Sequence, residues 1–257
     1  MAYTTIDNPE LHFQTKLFTG TGSGTQAVTL DGSENMQPDW VWTKDREANS
    51  SHDLYDSVRG VGKRIRSDAG SVEYTNSDML SSFNTDGFTV GTQDGVQYGT
   101  NDGVAWCWKA GTSFSNSGGS NGADLASSGS YNRDAGFSIV TFTGNATANQ
   151  QIYHGLNSVP KWMLLKNRTN SNAESWSIYH QSIGNTKKIT LDTTAAPATS
   201  NEFWEDTTPT STVLTVGRQD AVNGNGNTHV VYCFSEVKGY SKFGSYTGNG
   251  NADGTFV

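Results

Sequence analysis

The chain has 257 residues and a formal net charge of −8 with only 16% charged residues, which excludes a broadly basic, nucleic-acid-binding surface. No apolar run approaches the roughly 20 residues that cross a bilayer, so no membrane insertion is expected. Seven tryptophans and 11% aromatics exclude a disordered polymer, while abundant Gly and polar turns with few helix formers predict an all-β fold.

Residues 1–12 form a polar arm that either docks on a partner or frays. Its start, Met1 to Pro9, has neither a basic region nor an apolar core, so no secretory leader is expected. Phe13-Gln14-Thr15-Lys16-Leu17-Phe18-Thr19-Gly20 predicts a strand closed by a glycine turn; it recurs at Phe137 to Asn145 and again at Ser241 to Asn249.

Pro38-Asp39-Trp40-Val41-Trp42-Thr43-Lys44-Asp45-Arg46 comes back as Pro160-Lys161-Trp162-Met163-Leu164-Leu165-Lys166-Asn167-Arg168. At period two, Trp40, Trp42 and Lys44 share one face, as do Trp162, Leu164 and Lys166. Apolar residues on both faces predict a central strand covered on both sides.

Leu54 and Tyr55 are echoed by Ile178 and Tyr179. Arg59, Lys63, Arg64 and Arg66 then make the one dense basic cluster, read either as an anion or partner contact or as a solvated hairpin edge whose charges block sheet pairing. A short helix is expected at Asn76 to Phe83. Phe83 to Gly91 predicts an Asp-Gly turn entering a strand, copied at Val213 to Gly217. Turn-rich segments from Asp94-Gly95 and at Asn223 to Asn227 lead into the apolar strands Val104 to Lys109 and Val230 to Ser235. In these, Trp106 and Trp108 match Tyr232 and Phe234. Cys107 matches Cys233, and both are read as reduced core residues, since two cysteines make no disulfide scaffold.

The organisation is therefore a tandem duplication of antiparallel β-sandwich units of jelly-roll or lectin-like type. An arm spans 1–12, the first repeat 13–110 and a Gly/Ser-rich linker or surface loop 111–135. The second repeat spans 136–238, and 239–257 starts a third repeat or forms a strand-exchange tail.

Catalytic chemistry is not evident. No strand carries the paired carboxylates that flank a glycosidic bond, the five histidines form no zinc-ligand pair, and no nucleophile elbow occurs. Gly20-Thr21-Gly22-Ser23-Gly24 is followed by no helix pattern and so lacks phosphate-loop geometry. No enzyme activity, metal or cofactor is expected. Trp40, Trp106, Trp108 and Trp162 sit in apolar strands and read as core. Trp176 and Trp204, flanked by polar residues, read as candidate surface aromatics for binding.

The strings Phe13 to Gly20, Pro38 to Lys44, Leu54 to Gly60, Phe83 to Gly91 and Val104 to Lys109, in that order, resemble a repeat family in virion proteins of marine tailed phages, often labelled tail-fibre or lectin/glucanase-like. The resemblance implies a virion structural protein assembled in the host cytoplasm: a tail fibre or receptor-binding component acting by binding. A head-decoration or tail-adaptor protein is the alternative, and a glycan hydrolase a third. It implies other virion subunits and a host surface glycan as partners, and a homotrimer by analogy. Binding candidates are Trp176, Trp204, Arg59, Lys63, Arg64 and Arg66.

Overall fold

The computed structural model describes residues 4–93 and 99–255. The turn expected at Asp94-Gly95 lies outside the described residues. The first half contributes nine strands: β1 (Phe13–Thr19), β2 (Gln26–Val28), β3 (Trp40–Asp45), β4 (Asp53–Asp56), β5 (Lys63–Arg66), β6 (Tyr74–Thr75), β7 (Leu80–Asn84), β8 (Gly87–Val90) and β9 (Asp102–Trp108). They form an antiparallel six-stranded sheet, β1-β9-β3-β4-β5-β6, and a three-stranded sheet, β2-β8-β7.

The second half adds β10 (Thr112–Asn116), β11 (Ser127–Asn132), β12 (Phe137–Thr143), β13 (Gln150–Tyr153), β14 (Trp162–Asn167), β15 (Ser177–His180), β16 (Lys187–Thr190), β17 (Ala198–Thr199), β18 (Val213–Val216) and β19 (Thr228–Phe234). Two short helices, α1 (Asn201–Trp204) and α2 (Asp220–Asn223), flank β18. The large sheet runs β10-β11-β12-β19-β14-β15-β16-β17, and β13 pairs with β18. The protein is all-β with several antiparallel sheets, none closed or curled on itself.

The duplication holds at the level of register. Trp40 lies opposite Trp108 and Asp56; Trp162 lies opposite Phe234 and His180. Val41 lies between Cys107 and Tyr55, as Met163 lies between Cys233 and Tyr179. Even the loop after the central strand is copied. Asp45 Oδ1 accepts from the amides of Glu47 and Ala48, and Asn167 Oδ1 from those of Thr169 and Asn170. Lys44 Nζ donates to the Ala48 carbonyl and Lys166 Nζ to that of Glu174.

Because β3 and β14 are apolar on both faces, each large sheet feeds two cores. Val41, Tyr55, Ala105 and Cys107 pack under Val28, Leu80, Phe88 and Val90 of the small sheet. Met163, Leu165, Val231 and Cys233 pack under Ile152, Leu214 and Val216 and the helix residues Phe203, Trp204 and Val222. The remaining faces meet each other: Trp40, Leu54 and Ile65 of the first sheet pack with Phe137, Ile139, Leu164, Trp176, Tyr232 and Phe234 of the second. Cys107 and Cys233 thus lie in opposite outer cores, both free and buried. Burial pushes both thiols up, that of Cys233 to about 12.

Three expectations are corrected. Residues 111–135 are no linker: β10 and β11 form a hairpin that adds to β12 from Ser127↔Phe142 to Asn132↔Phe137. A hairpin added at a sheet edge is held by its backbone ladder, so Ser and Gly serve there; a Cβ on Gly129 of β11 would lie 2.1 Å from the Ile139 carbonyl. Asn76 to Phe83 is no helix, because Asn76 Oδ1 takes the Asp78 amide in a local turn and β7 follows. Among the described residues 239–257 starts no third repeat within this chain: only an isolated bridge, Val237↔Ser241, is present, and Tyr246 is exposed, which leaves the strand-exchange alternative open. The Asp-Gly turn is found: Gly87 has φ 98° and its Cα faces the Val28 carbonyl, where a Cβ would come within 2.0 Å.

Candidate binding site

At one end of the shared core the strands bring their terminal aromatics together. Phe13 and Phe137 open β1 and β12, Trp162 opens β14, and Trp108 and Phe234 close β9 and β19. In antiparallel neighbours, first and last residues meet at the same end, so alternation places these rings side by side. Phe13 lies 4.9 Å from Trp108, Trp162 lies 5.1 Å from Phe234, and Phe137 lies 4.9 Å from Phe234, centroid to centroid.

The chain then turns back over this end. Tyr240 donates its amide to the Val237 carbonyl, Phe243 donates its amide to Glu236, and Gln181 Nε2 donates to the Phe243 carbonyl at 2.6 Å. This sets the Phe243 ring 6.0 Å from both Trp162 and Phe234. The result is an open groove of about 290 Å³, lined by Phe13, Trp108, Phe137, Trp162, Phe234, Phe243, Ala135, Tyr240 and Ser241. Trp108 and Trp162 are half-buried there. The groove offers stacking faces, and its lining carries the Tyr240 hydroxyl and the Trp108 and Trp162 indole N–H groups, while the Ser241 hydroxyl is engaged by the Ser235 carbonyl and the Val237 amide; it can grip a flat, partly apolar ligand but holds no acid–base pair.

Trp40 is core as expected, but the assignments of Trp176, Trp204, Trp108 and Trp162 are corrected. Trp176, expected at the surface, is fully buried in the seam between the two large sheets, its Nε1 donating to the Arg66 carbonyl at 2.6 Å. Trp204, also expected at the surface, is buried on α1 with its ring edge-on to Tyr179. Polar sequence neighbours misled: Ser175 and Ser177 flank Trp176 along the chain, yet the ring packs against residues far away in sequence. Conversely, Trp108 and Trp162, read as core, reach solvent because they sit at strand ends where the facing sheet stops. Their terminal position beside Lys109-Ala110-Gly111 and Pro160-Lys161 was the available signal.

The basic cluster is not a free anion site. Arg59 is buried, ion-paired to Asp56, with its Nη1 3.0 Å from Glu73 and Nη2 donating to the Leu54 carbonyl. Arg64 and Arg66 lie 3.5 and 3.1 Å from Asp53. The Lys63 side chain is half-buried and its carbonyl accepts from Arg59. The reason is β-pairing: β5 lies beside β4, whose Asp53 and Asp56 supply the counter-charges.

Those residues belong to a polar seam instead. The Tyr232 hydroxyl donates to Asp56 at 2.6 Å, and Arg168 binds both Glu73 oxygens at 2.8 and 2.9 Å. Lys166 Nζ donates across the seam to the Gly70 carbonyl at 2.7 Å. Burial pulls the Lys166 ammonium down to about 8, against Asp192 and Glu174. Burial pushes the Glu73 carboxyl up, but its Arg168 hydrogen bond and the Arg59 and Arg168 charges leave it below the usual range. The Glu73 amide also donates to the Arg168 carbonyl at 2.9 Å, so hydrogen bonds run across the seam in both directions and fix how the halves sit.

Among the described residues no group of three or more His, Cys, Asp or Glu is placed to hold a metal ion. Residues 8–257 match the family described as a domain of unknown function, DUF7483, and the chain belongs to that family. No curated protein and no solved structure matches the chain.

Proposed function

We propose that this DUF7483 protein is a structural component of a tailed-phage virion, a tail fibre or receptor-binding subunit that works by binding rather than catalysis. The five ordered motifs of the first half and their resemblance to phage virion repeats support this reading. So does a duplicated, seam-locked β architecture, which suits a rigid display protein. A small sheet laid on a large one in each half supports describing each as a lectin-like β-sandwich unit.

One observation carries the binding role: the open groove whose walls are Trp108, Trp162 and Phe243. Aromatic faces exposed in a concave site stack on flat apolar surfaces, and the C–H face of a pyranose is one. The ligand proposed is a host surface glycan, with other virion subunits holding the protein in place.

The test is adsorption of the purified protein to host cells. Trp162→Ala and Trp108→Ala, both half-buried, are expected to reduce binding at least tenfold with the circular dichroism spectrum unchanged. Undiminished adsorption by both variants removes the groove from the account. Finding the protein on the capsid lattice instead would favour a head-decoration role, and polysaccharide cleavage abolished by a single carboxylate substitution would favour a hydrolase.

A further inference from the structure

The two halves treat one sheet edge differently. In the second, the edge of β12 is occupied: β11 pairs with it antiparallel, Ser130 opposite Ile139 and Ser128 opposite Thr141. In the first, β1 is the equivalent strand, with Phe13, Thr15 and Leu17 corresponding to Phe137, Ile139 and Thr141 by their pairing to β9 and β19. Among the described residues no strand pairs with the outer side of β1.

The direction of its backbone groups follows from the ladder. The Lys109 amide donates to the His12 carbonyl and the Gly20 amide to the Asn101 carbonyl. Alternation then turns the even residues 14, 16 and 18 toward β9 and the odd residues outward. The outward residues are the half-buried Phe13 and the exposed Thr15, Leu17 and Thr19, of which Thr19 has its carbonyl taken by Gln26 Nε2. Leu17 is 56% exposed, one of the few large apolar side chains left in solvent. The usual edge guard is missing: the single charge, Lys16, is tied to Asp31.

We propose that β1 pairs antiparallel with β1 of a second copy of this chain, joining two six-stranded sheets into one. The protein's own solution for the same edge in its second half is an antiparallel strand. A β1 strand is its own antiparallel complement, and the outward residues carry no charge that would repel a copy. Leu17 of each copy then lies against the other's edge. The contact is isologous and closes at two copies, so it cannot itself build a trimer.

Proline tests this cleanly. At Thr15 the amide points outward, so Thr15→Pro removes the donor the copy needs and leaves the β9 ladder intact. Leu17→Lys, which introduces no backbone strain, does the same by placing a charge on the edge. Light scattering of the wild-type protein is expected to give twice the 27.7 kDa chain mass, and both variants the single mass with unchanged circular dichroism. Should Thr15→Pro fail to fold, Leu17→Lys alone decides. A wild-type protein of one or three chain masses, or a dimer that survives Leu17→Lys, overturns the proposal.

Discussion

His154 and His229 are buried in the second half, their ring nitrogens near the Thr210 and Asp220 carbonyls. Burial holds both neutral and pulls them to about 4 from 6.5. A group lowered on folding contributes stability that is present above its unfolded pKa and lost as pH falls through the folded one. Each histidine is worth about 3 kcal/mol between pH 6.5 and 4. Asp53 has the opposite sign: burial raises it to about 6 despite Arg64 and Arg66. Its stabilising share is present below 3.8 and lost as pH rises through 6. Two histidines outweigh one aspartate, so stability is expected to fall on acidification from pH 6.5 to 4. Urea midpoints for wild type and His154→Gln check this; the variant should show a flatter slope, and an equal slope would show that His154 is not held neutral.

At the scale of strands and loops, what is legible in the sequence is what alternation and turn chemistry write. The repeated Trp40 and Trp162 strings, the Tyr55 and Tyr179 partners and the Asp86-Gly87 turn could all be placed because period two and a glycine at positive φ leave local marks. The hairpin of β10 and β11 left none. Its Ser and Gly residues look like a linker, and their strand state depends on β12 offering an edge. The same limit hid the groove: which tryptophans face solvent depends on where the opposite sheet ends, which no local pattern states. The hairpin's task is then testable. Replacing 111–132 by a short flexible link uncovers the β12 backbone and Ile139, and an uncovered edge invites association. The deletion variant is expected to aggregate at concentrations where the parent stays dispersed, as turbidity on warming would report. A deletion variant as soluble as the parent would mean that the hairpin does not protect that edge.

Taken whole, the molecule has no core that belongs to one half alone at its centre. Trp40 stacks on Tyr232 at 4.3 Å and on Phe137 at 5.7 Å, and an ion-pair chain from the buried Asp56 and Arg59 to the half-buried Glu73 and Arg168 runs through the same seam. Breaking that seam strips apolar cover from both large sheets and strands buried charges. Calorimetry is therefore expected to show one transition whose calorimetric and van't Hoff enthalpies agree. Two resolved transitions would mean that the halves melt independently. Joining the two aromatic-faced sheets on one chain also removes a search problem. Partners on separate chains part on dilution, whereas a peptide tether keeps them at an effective concentration on the order of millimolar however few molecules are present. The face that closes on itself here would, on a single unit, be a sticky surface whose cover depended on how crowded its surroundings were.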